Sequence, residues 1–247
     1  MTRAMYVWIL AALIGTAWGP RSTLAEPSAA PSAGPADSSQ APETPLAWSV
    51  TYASRYCFQG LDYSDGRPVL QPQMSARFRR ITIGIWGNLD PARGELDELD
   101  LSCQAELALD RFSGALGYVH LRYPHRDWEP TQELFADLAL EAPLQPSLGV
   151  HSDVVAGRGR YWTLGLNHEV PWRGAGLALG AKLYVHEHYY GMTGIPALEI
   201  SAGITVARAR LSLQPLLSRY WTWPNGHFRG DQAVNAGWVF GLTASSP

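Results

Sequence analysis

The stretch that decides the fold is Glu98-Leu99-Asp100-Leu101-Ser102-Cys103-Gln104-Ala105-Glu106-Leu107-Ala108-Leu109-Asp110. Successive side chains of a β-strand point to opposite faces. Leu99, Leu101, Cys103, Ala105, Leu107 and Leu109 therefore share an apolar face, opposite Glu98, Asp100, Ser102, Gln104, Glu106 and Asp110. One face can lie against apolar surroundings while the other stays wet. The same writing returns in Leu134, Ala136, Leu138 and Leu140 against Glu133 and Asp137. It returns in Leu177, Leu179, Ala181, Leu183 and Val185 against Lys182 and His186, and in Leu198, Ile200, Ala202, Ile204 and Val206 against Glu199, Ser201 and Thr205. Val234, Ala236, Trp238, Phe240 and Leu242, facing away from Asn235 and Thr243, complete the series.

A soluble sandwich also alternates, so length and connections must arbitrate. Many of these segments run for ~10 residues, the length a tilted strand needs to cross a bilayer, against the five or six usual in soluble sheets. About twelve can be placed, a count a bilayer barrel accommodates: 48–57, 69–78, 81–89, 98–110, 112–123, 131–140, 147–154, 160–170, 177–187, 195–206, 209–221 and 233–243. Tight turns at 79–80, 110–111 and 207–208, and moderate ones at 141–146 and 171–176, alternate with mostly longer loops at 58–68, 90–97, 124–130, 155–159, 188–194 and 222–232. Short connections on one rim and longer ones on the other are the outer-membrane arrangement. An even count returns both ends of the barrel to one side, and closure removes edges that lipid could not satisfy. The expectation is an all-β chain forming a transmembrane antiparallel up-and-down β-barrel of about twelve strands.

Composition agrees with that class. Only 17% of the 247 residues are charged, below the roughly 25% of soluble domains. The 10 Trp and 11 Tyr suit aromatic girdles at two membrane interfaces. A net charge of −3 gives no basic excess and argues against nucleic acid as a partner. No sustained helical stripe follows residue 45, which argues against a helical membrane protein. Before the barrel, residues 1–25 read as a secretory leader, with Arg3, an apolar run and the small-residue site Thr23-Leu24-Ala25. Residues 26–45, rich in Ala, Pro and Ser, read as a disordered periplasmic linker, leaving 46–247 for the barrel.

The run Ser54-Arg55-Tyr56-Cys57-Phe58-Gln59-Gly60, followed by Ser64-Asp65-Gly66-Arg67-Pro68-Val69-Leu70-Gln71, resembles the opening hairpin of the TorF porin family. That hairpin typically reads S-D-Y-x-F-R-G and then S-D-x-x-P-A-L-Q; Arg55 and Gln59 depart from it. Gly84-Ile85-Trp86-Gly87-Asn88-Leu89-Asp90 is similar to the family's G-x-W-G-S-N-V-D strand end with one residue missing, and Glu98-Leu99-Asp100-Leu101 to its E-x-D strand. The resemblance implies a bacterial outer-membrane barrel of porin type.

Strand parity places Glu98, Asp100, Glu106, Glu133, Asp137, Lys182, Glu199, Arg210 and Gln214 on the lumen side, a set that leans acidic. No catalytic, metal or cofactor site is read. His151-Ser152 are adjacent in a strand and cannot meet as base and nucleophile without a bulge. His186 and His188 lack a sequence-local third ligand, and the acidic residues of 90–100 miss the spacing of an EF-hand loop. Cys57 and Cys103 fall on the first and fourth expected strands, which are not neighbours in a meander; they read as small apolar side chains, with pairing left open. Three functions share this architecture: a passive channel for small polar solutes with cation preference, a barrel plugged by its own side chains that makes surface contacts through Tyr189, Tyr190, Trp221, Trp223 and Phe228, and an outer-membrane lipid hydrolase. The partners implied are outer-membrane lipid and small polar solutes; neither the solute nor the oligomeric state is set by the residues.

Overall fold

Alternation is realised along the strands of the described residues. A computed structural model describes residues 46–172, 175–208, 211–223 and 237–246. Its barrel strands are β1 (Leu46–Ala53), β2 (Val69–Phe78), β3 (Ile81–Asp90), β4 (Glu95–Leu109), β5 (Phe112–Arg122) and β6 (Thr131–Leu140). They continue as β7 (Ser147–Asp153), β8 (Arg160–Trp172), β9 (Ala175–Tyr189), β10 (Ala197–Arg208), β11 (Leu211–Thr222) and β12 (Trp238–Ser245). Each pairs antiparallel with its neighbours in order, and β1 pairs with β12, so the 12-stranded barrel is closed. Among the described residues there is no helix. The expected leader over 1–25, the expected linker over 26–45 and Arg210 lie outside the described residues.

One departure from the expected strands has a physical cause. The first strand was expected to run to Cys57, but β1 ends at Ala53 and the chain then turns into the lumen. For the last strand, expected from residue 233, residues 224–236 lie outside the described residues, and its described part is β12 from Trp238. Register is regular except for bulges such as that between Asn88 and Leu89, where Asn88 faces Glu98 and Leu89 faces Leu96. The extra residue on β4, Asp97, breaks the period of two, so that Asp97 and Glu98 are both buried.

The exterior is apolar across its width: Ile83, Leu101, Leu134, Leu164, Ile200 and Phe240 are all exposed there. Phe78, Phe112 and Trp172 ring the turn end, while Tyr52, Trp221 and Trp238 stand outward toward the loop end. The tryptophans and Tyr52 among them are amphipathic, and such rings settle at headgroup depth. The buried residues, by contrast, are dominated by polar and aromatic side chains of the interior, as a barrel surrounded by lipid requires.

Candidate functional site: the lumen

The connection at 54–68 folds inward. Cys57–Phe58 and Leu61–Asp62 pair as a small hairpin. Its two central residues, Gln59 (φ 52°) and Gly60 (φ 81°), both have the left-handed backbone of a type I′ turn. Gly60 is required twice over, because a Cβ there would lie 2.6 Å from Thr222 Cγ2 and 2.7 Å from Ala197 Cβ. The tip is thus pressed against the wall formed by β10 and β11. Gln59 is 1% exposed, and its Oε1 accepts from His186 Nε2 at 2.7 Å.

The segment is tied to itself and to its surroundings by polar contacts. Asp62 Oδ1 accepts from Ser64 N (2.9 Å) and Ser64 Oγ (3.0 Å), and Asp62 Oδ2 from Gly66 N (2.9 Å). Tyr56 N donates to Ser64 Oγ at 2.8 Å. Arg67 Nε donates to the buried Asp90 at 2.9 Å, and Arg126 reaches both Asp97 (2.8 Å) and the Tyr63 carbonyl. Tyr56 packs with Ala53, Val69 and Trp86, and Cys57 with Tyr220 and Val239. Burial pushes the Tyr56 and Tyr63 phenols and the Cys57 thiol above their ordinary values, with the Glu98 carboxylate adding to the effect on both phenols.

Beneath this plug lies a layer of stacked rings and carboxylates. His151 sits between Phe135 (centroids 5.3 Å apart) and Tyr161 (4.5 Å), both nearly parallel to it. Its ring nitrogens lie 3.7 Å from Glu133 and 3.6 Å from Asp137. Tyr189 Oη donates to Glu133 at 2.7 Å. Across the lumen Glu199 accepts from Tyr184 Oη (3.1 Å) and Ser218 Oγ (2.9 Å). Phe58 of the plug packs edge-on against Tyr161 at 5.9 Å, so plug and layer touch. Asp100 is 1% exposed, and its Oδ1 has no hydrogen-bond partner among the described residues.

Toward the turn end the interior changes character. Arg77 pairs with Glu106, and their side chains are 29% and 21% exposed; Asp137 is 30% exposed. At mid-height, Gly165 and Gly180 line a cavity of about 20 Å3 with Asn167, Lys182, Glu199 and Ser201, room for roughly one water. Gln214 stands in register with Thr243, whose hydroxyl is 2.8 Å from that of Thr51.

The structure therefore brings Glu133 and Asp137 together around His151, pairs Glu106 with Arg77, and sets Lys182 and Glu199 beside one cavity. Glu98 and Asp100 are buried on neighbouring inward positions of β4. His151 is buried in the lumen, while Ser152 follows on the opposite face, as strand geometry demands. His186 is buried and His188 exposed, so they do not share a site, and no cluster of metal-ligating residues occurs among the described residues. Cys57 and Cys103 are unpaired, one in the plug and one on the exterior. Tyr189, expected among the outer loops, is instead buried against Glu133; Tyr190 is exposed, and Phe228 lies outside the described residues.

The sequence alone does not mark Gln59, Tyr161 and Tyr189 as lumen residues. The Gln-Gly pair was a local signal for a two-residue hairpin, but nothing local tells that such a hairpin turns inward. No protein-family model matches the chain, and no curated protein does. Its fold is similar to that of the NanC porin, with a TM-score of 0.52 and 10% identity over 82% of this chain and 99% of that one. It is likewise similar to an outer membrane channel from Pseudomonas putida F1, with a TM-score of 0.51 and 12% identity over 87% of this chain and 99% of that one. At these identities the likeness is one of fold: this chain has the architecture on which two outer-membrane channels are built.

Proposed function

We propose that the chain is an outer-membrane channel for small polar solutes with a weak preference for cations, exported by a leader over 1–25 and related to the TorF porins. The observation that carries this reading is the pairing of an apolar exterior with an interior whose turn-end carboxylates, Glu106 and Asp137, keep 21% and 30% exposure. Carboxylates in a confined, partly low-dielectric path attract cations and repel anions. Glu98, Asp100, Glu133 and Glu199 extend the acidic lining toward the loop end, with Lys182 and Arg77, the ion-pair partner of Glu106, opposing it. The motifs over 54–101 and the fold shared with two outer-membrane channels support the same location and class.

The inward hairpin favours a second reading, a barrel closed by its plug that serves surface contact. Reversal potentials across a salt gradient in planar bilayers test the first. The wild type is expected to prefer cations, and Glu106→Gln with Asp137→Asn to lower that preference while leaving the barrel folded. The preference should shrink at 1 M salt, where the screening length is ~3 Å. Anion preference would overturn the charge argument. Absence of steady conductance in the wild type, gained when 56–64 is replaced by a Gly/Ser linker, would establish the plugged barrel instead.

A further inference from the structure

The barrel exterior carries one cation that stands out. Ser218 and Tyr220 are buried in the lumen, so the period of two sends Arg219 of β11 outward beside Leu217 and Trp221. Its guanidinium carbon lies 5.4 Å from the centre of the Trp221 ring and 5.1 Å from that of Trp238. Trp238 is its direct register partner on β12. No carboxylate lies within ion-pair distance of Arg219 among the described residues. Arg160, also outward at the loop end, differs in this respect: its Nε is 3.2 Å from Glu187.

Depth and surroundings narrow the choice of counter-ion. Arg219 is three residues from the end of β11, with an outward tryptophan beyond it and another across from it. Such aromatic side chains mark headgroup level. One register step deeper, Leu217 and Phe240 face each other and are 42% and 44% exposed, an apolar strip running down from the cation. A guanidinium is a planar fork that matches a phosphate with two parallel hydrogen bonds, and aromatic faces on either side hold that plane. Hydrocarbon can occupy the strip below but cannot neutralise the charge above it.

We infer that Arg219, held between Trp221 and Trp238, is a binding site for the phosphate of an anionic lipid headgroup on the loop side of the membrane, with an acyl chain lying along Leu217 and Phe240. The site is on the exterior and is independent of whether the lumen conducts. It makes the barrel wall selective for one class of lipid at one place rather than uniformly apolar.

Native mass spectrometry of the barrel released from micelles doped with equal amounts of phosphatidic acid and phosphatidylcholine reads the site directly. The wild type is expected to retain phosphatidic acid severalfold over phosphatidylcholine. Arg219→Gln should bring the ratio close to parity, and Arg219→Lys should keep part of the excess, because a point charge remains without the fork. Inorganic phosphate at the same concentration should not displace the lipid, since it cannot use the apolar strip. A folded Arg219→Gln barrel that keeps the wild-type excess would overturn the proposal, as would full displacement by inorganic phosphate, which would mean a site for the free anion. If Arg219→Gln does not fold, the wild type at high salt supplies the test: the excess should collapse as the charges are screened, and an excess indifferent to salt would refute it.

Discussion

The two ends of the lumen are built on different principles. At the loop end, Tyr56, Trp86, Phe135, Tyr161, Tyr184 and Tyr220 fill the interior, and the carboxylates among them, Glu98, Asp100 and Glu133, are 7%, 1% and 5% exposed. At mid-height, Gly165, Gly180 and Ser201 contribute little bulk, and toward the turn end Glu106 and Asp137 keep contact with solvent. The backbone tube is the same along its axis. What differs is side-chain volume and the inward hairpin, so twelve strands alone set the outer dimension of the barrel and not its bore. The loop end behaves as a packed polar core, where each buried group needs a partner, and the turn end as a lined wall.

Removing the plug should have the largest effect and bears on one end only. Replacing 56–64 by a Gly/Ser linker is expected to raise single-channel conductance severalfold in planar bilayers, whereas widening the turn end by Glu106→Ala should change it little. Equal responses would show that both ends limit passage and would break the contrast.

Hydrogen-bond deletions sharpen it in energetic terms. Tyr189→Phe removes the hydroxyl that donates to the buried Glu133 at 2.7 Å, and leaving such an acceptor unsatisfied costs about 1–3 kcal/mol. Thr243→Val removes the 2.8 Å contact with Thr51 at the β1–β12 seam, which involves no carboxylate, a loss of about 0.5–1.5 kcal/mol. Urea unfolding in lipid measures both, and the loop-end variant should lose more.

Alkaline titration adds a smaller, plug-specific effect. Burial holds the Tyr56 and Tyr63 phenols above their ordinary value in the folded barrel. Below ~pH 10 both are neutral whether the chain is folded or not, and their contribution is fully present. Above it the unfolded chain ionises first, so stability falls as pH rises. Ultraviolet titration should show these phenols ionising late, together with loss of the barrel, and ionisation at the ordinary value in an intact barrel would contradict their burial. The smallest effect is chemical: the buried Cys57 thiol, pushed up by burial, should resist maleimide at neutral pH in the folded barrel and react once the barrel is unfolded.

How much of this was legible in the residues depends on the range over which each feature is decided. Period-two alternation is a property of neighbouring residues, so 98–110 alone separates the lipid face from the wet one, and the rhythm of short and long connections yields twelve strands. The acidic lean of the inward positions is local for the same reason. Three features were not local. Asp97 turns inward only because β3 and β4 meet through a bulge between Asn88 and Leu89, which is a matter of pairing between strands. Gln59 meets His186, a residue 127 positions away, and Tyr189 meets Glu133 at a separation of 56. Those meetings depend on barrel closure, which brings strands distant in sequence across one lumen. The inward course of 54–68 belongs with them: its sequence encodes a two-residue turn, but only the wall of β10 and β11, close enough to demand glycine at position 60, gives that turn a place inside the barrel. Residue chemistry thus determined the tube and its faces, and the tertiary structure decided what fills it, because faces are set by adjacent side chains and occlusion by partners that only closure makes adjacent.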